Sequence, residues 1–181
     1  MKRILLSLTL CIIAAGGYAQ LSEIFEESEA FEEGTTVWQL GAGLRSDMKL
    51  GEGLDLKMIT PPLILMWEKC IITNVGLGLK AGIRLWEQEK LQYNYSYAAL
   101  SVRASYHPNL DNEAIDPYIS IGATGRRFNI GDGENRIDNY DFDGFILLGC
   151  RYYFSDTFGV YGELGADMLS YFNLGISFRM Y

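Results

Sequence analysis

The stretch 157-TFGVYGELGADMLSYFNLGISFRMY-181 decides the fold class. Between positions 172 and 180 every even position is apolar, and the odd positions carry Asn173, Gly175, Ser177 and Arg179. A period of two is that of a β-strand with one apolar face. The same alternation fills 158–167, so the pattern predicts two long neighbouring strands. A tilted strand of about ten residues is long enough to cross a bilayer, whereas strands of soluble proteins average about five or six residues.

This alternation continues back to Thr35 and predicts eight strands in all. They are 35–45, 62–71, 74–87, 93–106, 116–128, 143–154, 157–167 and 171–181. The polar faces mix charges with glycine, which weakens a solvated strand but suits the inside of a narrow, curving wall. We therefore predict an all-β fold: one closed antiparallel up-and-down transmembrane barrel of about eight strands, with apolar faces toward lipid.

The N-terminal residues carry an export pattern followed by an acidic segment. Lys2 and Arg3 precede an apolar run, and Gly17-Tyr18-Ala19 has the small residues of a signal peptidase site. We predict a signal peptide at 1–19, an acidic, mobile linker at 20–34 and the barrel at 35–181. The net charge of −8 leaves no basic surface for phosphates, which argues against nucleic acid binding.

The C-terminal strands also carry a resemblance to a known family. Residues 152–165 and 173–181, together with 61–68, resemble small outer-membrane β-barrels of the OmpA/OmpX/OmpW type, in their Bacteroidota form. The likeness covers 35–181 and implies a Gram-negative outer-membrane location, contact with lipid and insertion by the barrel-assembly machinery. Phe178, Met180 and Tyr181 would be the C-terminal assembly signal, although Tyr181 lies one residue out of phase with the apolar face.

Charged residues on the predicted inner faces form the main candidate site. They are Arg45, Glu68, Lys80, Arg84, Arg103, Arg126, Arg151, Glu163, Asp167 and Arg179. Because the interior of eight strands is just wide enough for side chains to fill, we expect these charges to form an ion-pair network. The alternative is a narrow, porin-like passage for small ions or solutes, which the excess of cations would make anion-preferring.

The sequence offers no set of residues for catalysis, metal binding or a cofactor. Its one histidine, His107, is predicted to lie in an exposed periplasmic turn, without a nucleophile elbow. Cys70 and Cys150 are predicted on opposite faces of distant strands, so we expect no disulfide. The acidic residues around 132–143 do not match a calcium-binding loop and are expected to be solvated.

Three functions remain open from the sequence. The first is an integral outer-membrane barrel, monomeric and non-enzymatic, with a structural or surface-interaction role. Its outer loops 46–61 and 129–142 are then the predicted place for a surface partner. The second is the narrow passage. The third is a secreted, soluble, lipocalin-like ligand-binding barrel, which requires apolar side chains inside and polar ones outside.

Overall fold

The computed structural model describes residues 28–45, 56–88, 93–130, 137–167 and 169–181. These contain eight strands: β1 (Thr36–Arg45), β2 (Leu56–Ile72), β3 (Val75–Gln88), β4 (Tyr93–Tyr106), β5 (Ile115–Ile130), β6 (Ile137–Tyr153), β7 (Phe158–Asp167) and β8 (Ser170–Met180). Each strand pairs antiparallel with the next, and β1 pairs with β8, which closes the barrel. The predicted fold class is confirmed, while the predicted signal peptide lies outside the described residues. No helix in the described ranges is long and apolar enough to cross a membrane.

The two ends of the barrel differ in their connections. The turn end carries the connections after β2, β4 and β6, at 73–74, 107–114 and 154–157, and the C-terminal end of β8. The loop end carries the other connections. Asn74 adopts the left-handed conformation (φ 63°) that the two-residue turn between β2 and β3 requires, and asparagine tolerates it.

The outer wall of the barrel is apolar on every strand. Its exposed side chains include, one from each strand, Leu40, Leu65, Leu79, Leu100, Ile121, Leu148, Leu164 and Leu174, which are between 43% and 62% exposed. A set of charged side chains on the same strands points inward and is buried: Glu68, Lys80, Arg103, Asp116, Arg151, Glu163 and Arg179. This arrangement is the reverse of a soluble ligand-binding barrel, so the lipocalin-like alternative is wrong. The wall is the one expected of a barrel surrounded by lipid.

Two strands begin well before the alternation predicted. β2 begins at Leu56 and β6 at Ile137, six residues before their predicted starts, so parts of the predicted loops 46–61 and 129–142 are strand. Polar residues interrupt the apolar alternation in the β6 extension, and Pro61 and Pro62 separate the β2 extension from the rest of its strand. Cross-strand ion pairs support the β5–β6 extension, since Arg127 Nη2 lies 2.8 Å from Asp138 Oδ2.

The end of the predicted mobile linker is packed into the barrel. Ser28, Ala30 and Phe31 are buried, and the Ser28 N–H donates to Asn74 Oδ1 at 2.7 Å. Residues 28–31 of the predicted linker are therefore packed rather than solvated, because Phe31 contributes apolar area that the turn end of the barrel encloses, whereas residues 32–34 are exposed. We call residues 28–35 the plug segment.

Candidate functional site in the barrel lumen

Seven buried side chains of alternating charge form a continuous line across the lumen, the charge chain. In order they are Lys80, Glu163, Arg103, Glu68, Arg151, Asp116 and His107. Neighbouring atoms are 2.8 Å apart for Lys80–Glu163, 2.5 Å for Arg103–Glu163 and 2.7 Å for Arg151–Asp116. Every anion contacts at least two cationic or imidazole groups, which is the compensation that buried charges need.

Six consecutive strands supply the charge chain, because each presents an inward-facing charged side chain. β2 to β7 contribute one side chain each, and the seventh member, His107, directly follows β4. Tyr118 on β5 joins the line, since its hydroxyl donates to Glu163 Oε1 at 3.0 Å. Its ring also lies under two guanidinium groups, 4.4 Å from Arg151 and 5.3 Å from Arg103. These cation–π contacts add to the ion pairs of both arginines.

The structure separates the ten predicted lumen charges into three groups. Buried inside are Glu68, Lys80, Arg103, Arg151, Glu163 and Arg179. Arg84 and Arg126 lie nearer the loop end; the first packs 4.5 Å from the Trp86 ring, and the second pairs with Asp141 at 2.9 Å and with Asp143. For Arg45 and Asp167, the side chains lie outside what the structure describes.

His107 corrects one prediction and reveals residues that the sequence analysis missed. Its ring is fully buried, with Nδ1 2.6 Å from Asp116 Oδ1 and Nε2 3.8 Å from Glu68 Oε1. The expected exposed turn is therefore wrong, because His107 continues the inward series of β4 through Arg103 and Ser105. The alternation along β4 could therefore have predicted that His107 points inward. In the same way, the inward positions of Tyr118 and Ser120 on β5 could have predicted that Asp116 points inward. Burial disfavours the charged imidazole, but the Asp116 carboxylate outweighs this and raises the pKa of His107.

The plug segment closes the turn end beneath the charge chain. The Phe31 ring stacks on His107 with centroids 3.7 Å apart, and the Arg151 guanidinium lies 5.6 Å from the same ring. Arg179 holds the segment by donating from Nη1 to the Ala30 carbonyl at 2.9 Å. The same side chain donates to the carbonyls of Glu113 and Asp156, so one guanidinium ties the plug segment to two turns.

An apolar cluster fills the lumen nearer the loop end. Its buried members are Ile64, Trp86, Tyr95, Tyr97, Ala99 and Leu169. Leu169 directly precedes β8, and its side chain packs into the barrel. The sequence analysis expected charges and glycine inside and did not predict this apolar layer, because its members come from separate segments of the chain, among them Ile64, Trp86 and Leu169. The lumen is thus filled at the plug, at the charge chain and at the apolar cluster.

The remaining predicted sites are placed as follows. Phe178 and Met180 point outward and are exposed, and Tyr181 lies beyond the end of β8 with Arg179 5.1 Å from its ring. Cys70 is buried and Cys150 exposed, and the two do not form a disulfide with each other. Within the described residues, no group of three or more His, Cys, Asp and Glu side chains is arranged to hold a metal ion.

The closed eight-stranded barrel with an apolar outer wall has the fold of the small outer-membrane β-barrel proteins. No protein-family model matches the sequence, and no curated protein matches it. The likeness is therefore one of structure, and it confirms the fold that the resemblance implied.

Three solved structures illustrate this likeness. The chain is similar to the N-terminal β-barrel domain of Pseudomonas aeruginosa OprF, with 16% identity, a TM-score of 0.54, and coverage of 82% of this chain and 98% of that one. It is also similar to Ail, the attachment invasion locus protein of Yersinia pestis, in complex with the heparin analogue sucrose octasulfate. Here the identity is 15% and the TM-score 0.55, with coverage of 82% of this chain and 99% of that one. For the outer membrane protein OprG of Pseudomonas aeruginosa, the identity is 12% and the TM-score 0.51, with coverage of 86% of this chain and 100% of that one.

Proposed function

We propose that the chain is a monomeric, integral outer-membrane barrel with a closed lumen, which holds a protruding sheet at the cell surface for contact with a partner. The observation that carries the closed lumen is the charge chain, because its fully buried ion pairs cross the barrel between the plug and the apolar cluster. The apolar outer wall supports the membrane location. We also propose that the barrel is not an enzyme, since the sole histidine is enclosed and held by Asp116.

The uneven height of the barrel supports the surface role. β2, β5 and β6 have 17, 16 and 17 residues, whereas β1, β7 and β8 have 10, 10 and 11. About ten residues of a tilted strand cross the bilayer, so the longer strands extend beyond it. β6 pairs with β7 only from Leu147 to Tyr153, so its residues 137–146 have no described strand on that side. Such an edge offers backbone groups to an extended peptide segment of a partner.

Cysteine labelling in intact cells tests the location and orientation. In a Cys150→Ser background, we expect a membrane-impermeant maleimide to label Asn139→Cys on the β6 extension. We expect it to label Asp156→Cys, at the turn end, only after permeabilisation. Leu148→Cys is the matched control on β6, since its lipid-facing position excludes the reagent in both conditions. Labelling of Asp156→Cys alone in intact cells would reverse the orientation, and labelling of all three would contradict membrane insertion.

Planar-bilayer recording tests the closed lumen. We expect the wild-type barrel, shown to be inserted by its heat-modifiable mobility on a gel, to give no stepwise conductance. The physical reason is that passage requires breaking buried ion pairs whose charges have no water to replace their partners. Discrete, anion-selective steps from the same preparation would contradict the closed lumen and favour the narrow passage.

A further inference from the structure

The outer wall of β1 to β4 carries a groove beside an unpaired cation. The groove measures about 280 Å³ and is lined by Trp38, Leu65, Trp67, Leu79, Ala81 and Leu100. Trp38 and Trp67 are register partners on β1 and β2, so their indoles lie side by side. Leu65, Ala81 and Leu100 form the next row of partners toward the loop end. The methyl side chain of Ala81 leaves a gap between the two leucines in that row.

Lys69 lies at the turn-end side of this groove. It is two residues from Trp67 on the same outward face of β2, a separation of about 7 Å. Lys69 is exposed and forms no ion pair with any residue that the structure describes. The other cation among the described outward side chains, Arg127, lies at the loop end and is paired with Asp138. The described outer wall therefore has a single unpaired positive charge, and it adjoins the tryptophan pair.

We propose that this groove is a binding site for one anionic phospholipid of the leaflet at the turn end. The Lys69 ammonium binds the phosphodiester, because a flexible lysine stem reaches toward the headgroup region while its charge stays hydrated. Trp38 and Trp67 flank the glycerol and ester region, where amphipathic indoles are favoured. One acyl chain then runs toward the loop end over Ala81, between Leu65 and Leu100. A zwitterionic headgroup gains less, since its own cation competes with Lys69.

Tryptophan quenching by brominated lipids tests this site, which rests on the membrane location proposed above. The chain has three tryptophans, and the third, Trp86, is buried in the lumen, so Trp38 and Trp67 report on the groove. The barrel is reconstituted in phosphatidylcholine vesicles that contain brominated phosphatidylglycerol. We expect the brominated anionic lipid to occupy the groove about fivefold more often than its mole fraction in the vesicle predicts, and tryptophan quenching to rise accordingly. This is the effect expected of one lysine near the membrane surface.

Substitutions at two positions locate the preference within the groove. We expect Lys69→Gln to reduce quenching to the level that the mole fraction of the anionic lipid predicts. Lys69→Arg should retain the preference for the anionic lipid. Ala81→Leu fills the gap and should also lower it. Arg127→Gln controls for loss of a wall charge, and Ala123→Leu, on β5, controls for added wall volume; both should leave the preference unchanged.

The outcomes separate this inference from the membrane location. Quenching in proportion to mole fraction in the wild type, or a preference that Lys69→Gln leaves intact, would overturn the lipid site while the barrel remains inserted. Absence of quenching by brominated lipids with either headgroup, together with no heat-modifiable band, would contradict membrane insertion itself. Equal loss in Arg127→Gln would show a general charge effect and would also overturn the site.

Discussion

Replacing Glu68 by glutamine is expected to lower the free energy of unfolding of the barrel by about 3–5 kcal/mol, the cost of removing one partner from a buried ion pair. Glu68 Oε2 accepts hydrogen bonds from Arg103 Nη2 at 3.2 Å and from Arg151 Nη2, and its side chain is fully buried. The amide keeps the shape of the side chain but removes its charge. Both guanidinium groups then lose an anion in a place that water does not reach.

Urea unfolding of the lipid-reconstituted protein, followed by the heat-modifiable gel band, measures this loss. Asp141→Asn is the matched control, because it also removes an acid from an arginine pair, but Asp141 is 66% exposed. We expect the control to cost less than about 1 kcal/mol, as exposed ion pairs do. A loss in Glu68→Gln no larger than that in Asp141→Asn would contradict a stabilising role for the charge chain.

The sequence predicts the barrel well because the two faces of each strand have different surroundings. One face contacts lipid and the other faces the crowded lumen. Along β8, lipid contact requires apolar even positions, while the crowded lumen accepts only polar or small residues such as Ser177 and Gly175. A one-residue shift would place Arg179 in lipid, so the alternation specifies which face lies inside. The inward placement of Arg103, Arg151 and Glu163 follows from this parity alone.

The pairing of the charges required the three-dimensional structure. Parity places Glu68 and Arg151 inside, but their contact joins residues 83 positions apart across the lumen and depends on the strand registers. Phe31 was unpredictable for a related reason. It lies in an acidic segment without periodicity, and its burial depends on a pocket made by His107 and Arg151, which are distant in sequence. Local pattern thus identifies faces, whereas long-range registers decide partners.

The seam between β1 and β8 depends on the absence of a side chain at Gly175. A Cβ atom there would lie 2.5 Å from the Gly41 Cα and closer still to the Leu40 carbonyl oxygen, both backbone atoms of the adjacent strand. The ring of Tyr161 lies 2.7 Å away from the same point. Because backbone atoms cannot move aside as the end of a flexible side chain can, any larger residue must push the two strands apart.

We therefore expect Gly175→Ala to destabilise the barrel by at least about 3 kcal/mol, at the upper end of the cost of overpacking. Most of the refolded protein should migrate at the position of the unfolded chain without boiling. Gly162→Ala, on the neighbouring β7, is the matched control, since its Cβ would meet only ordinary contacts, the nearest being 3.4 Å from Leu174. Wild-type mobility for Gly175→Ala would mean that β1 and β8 tolerate a wider separation. The close approach of the two strands would then not be what closes the barrel, and closure would rest on the lumen contacts that β8 makes through Asn173 and Arg179.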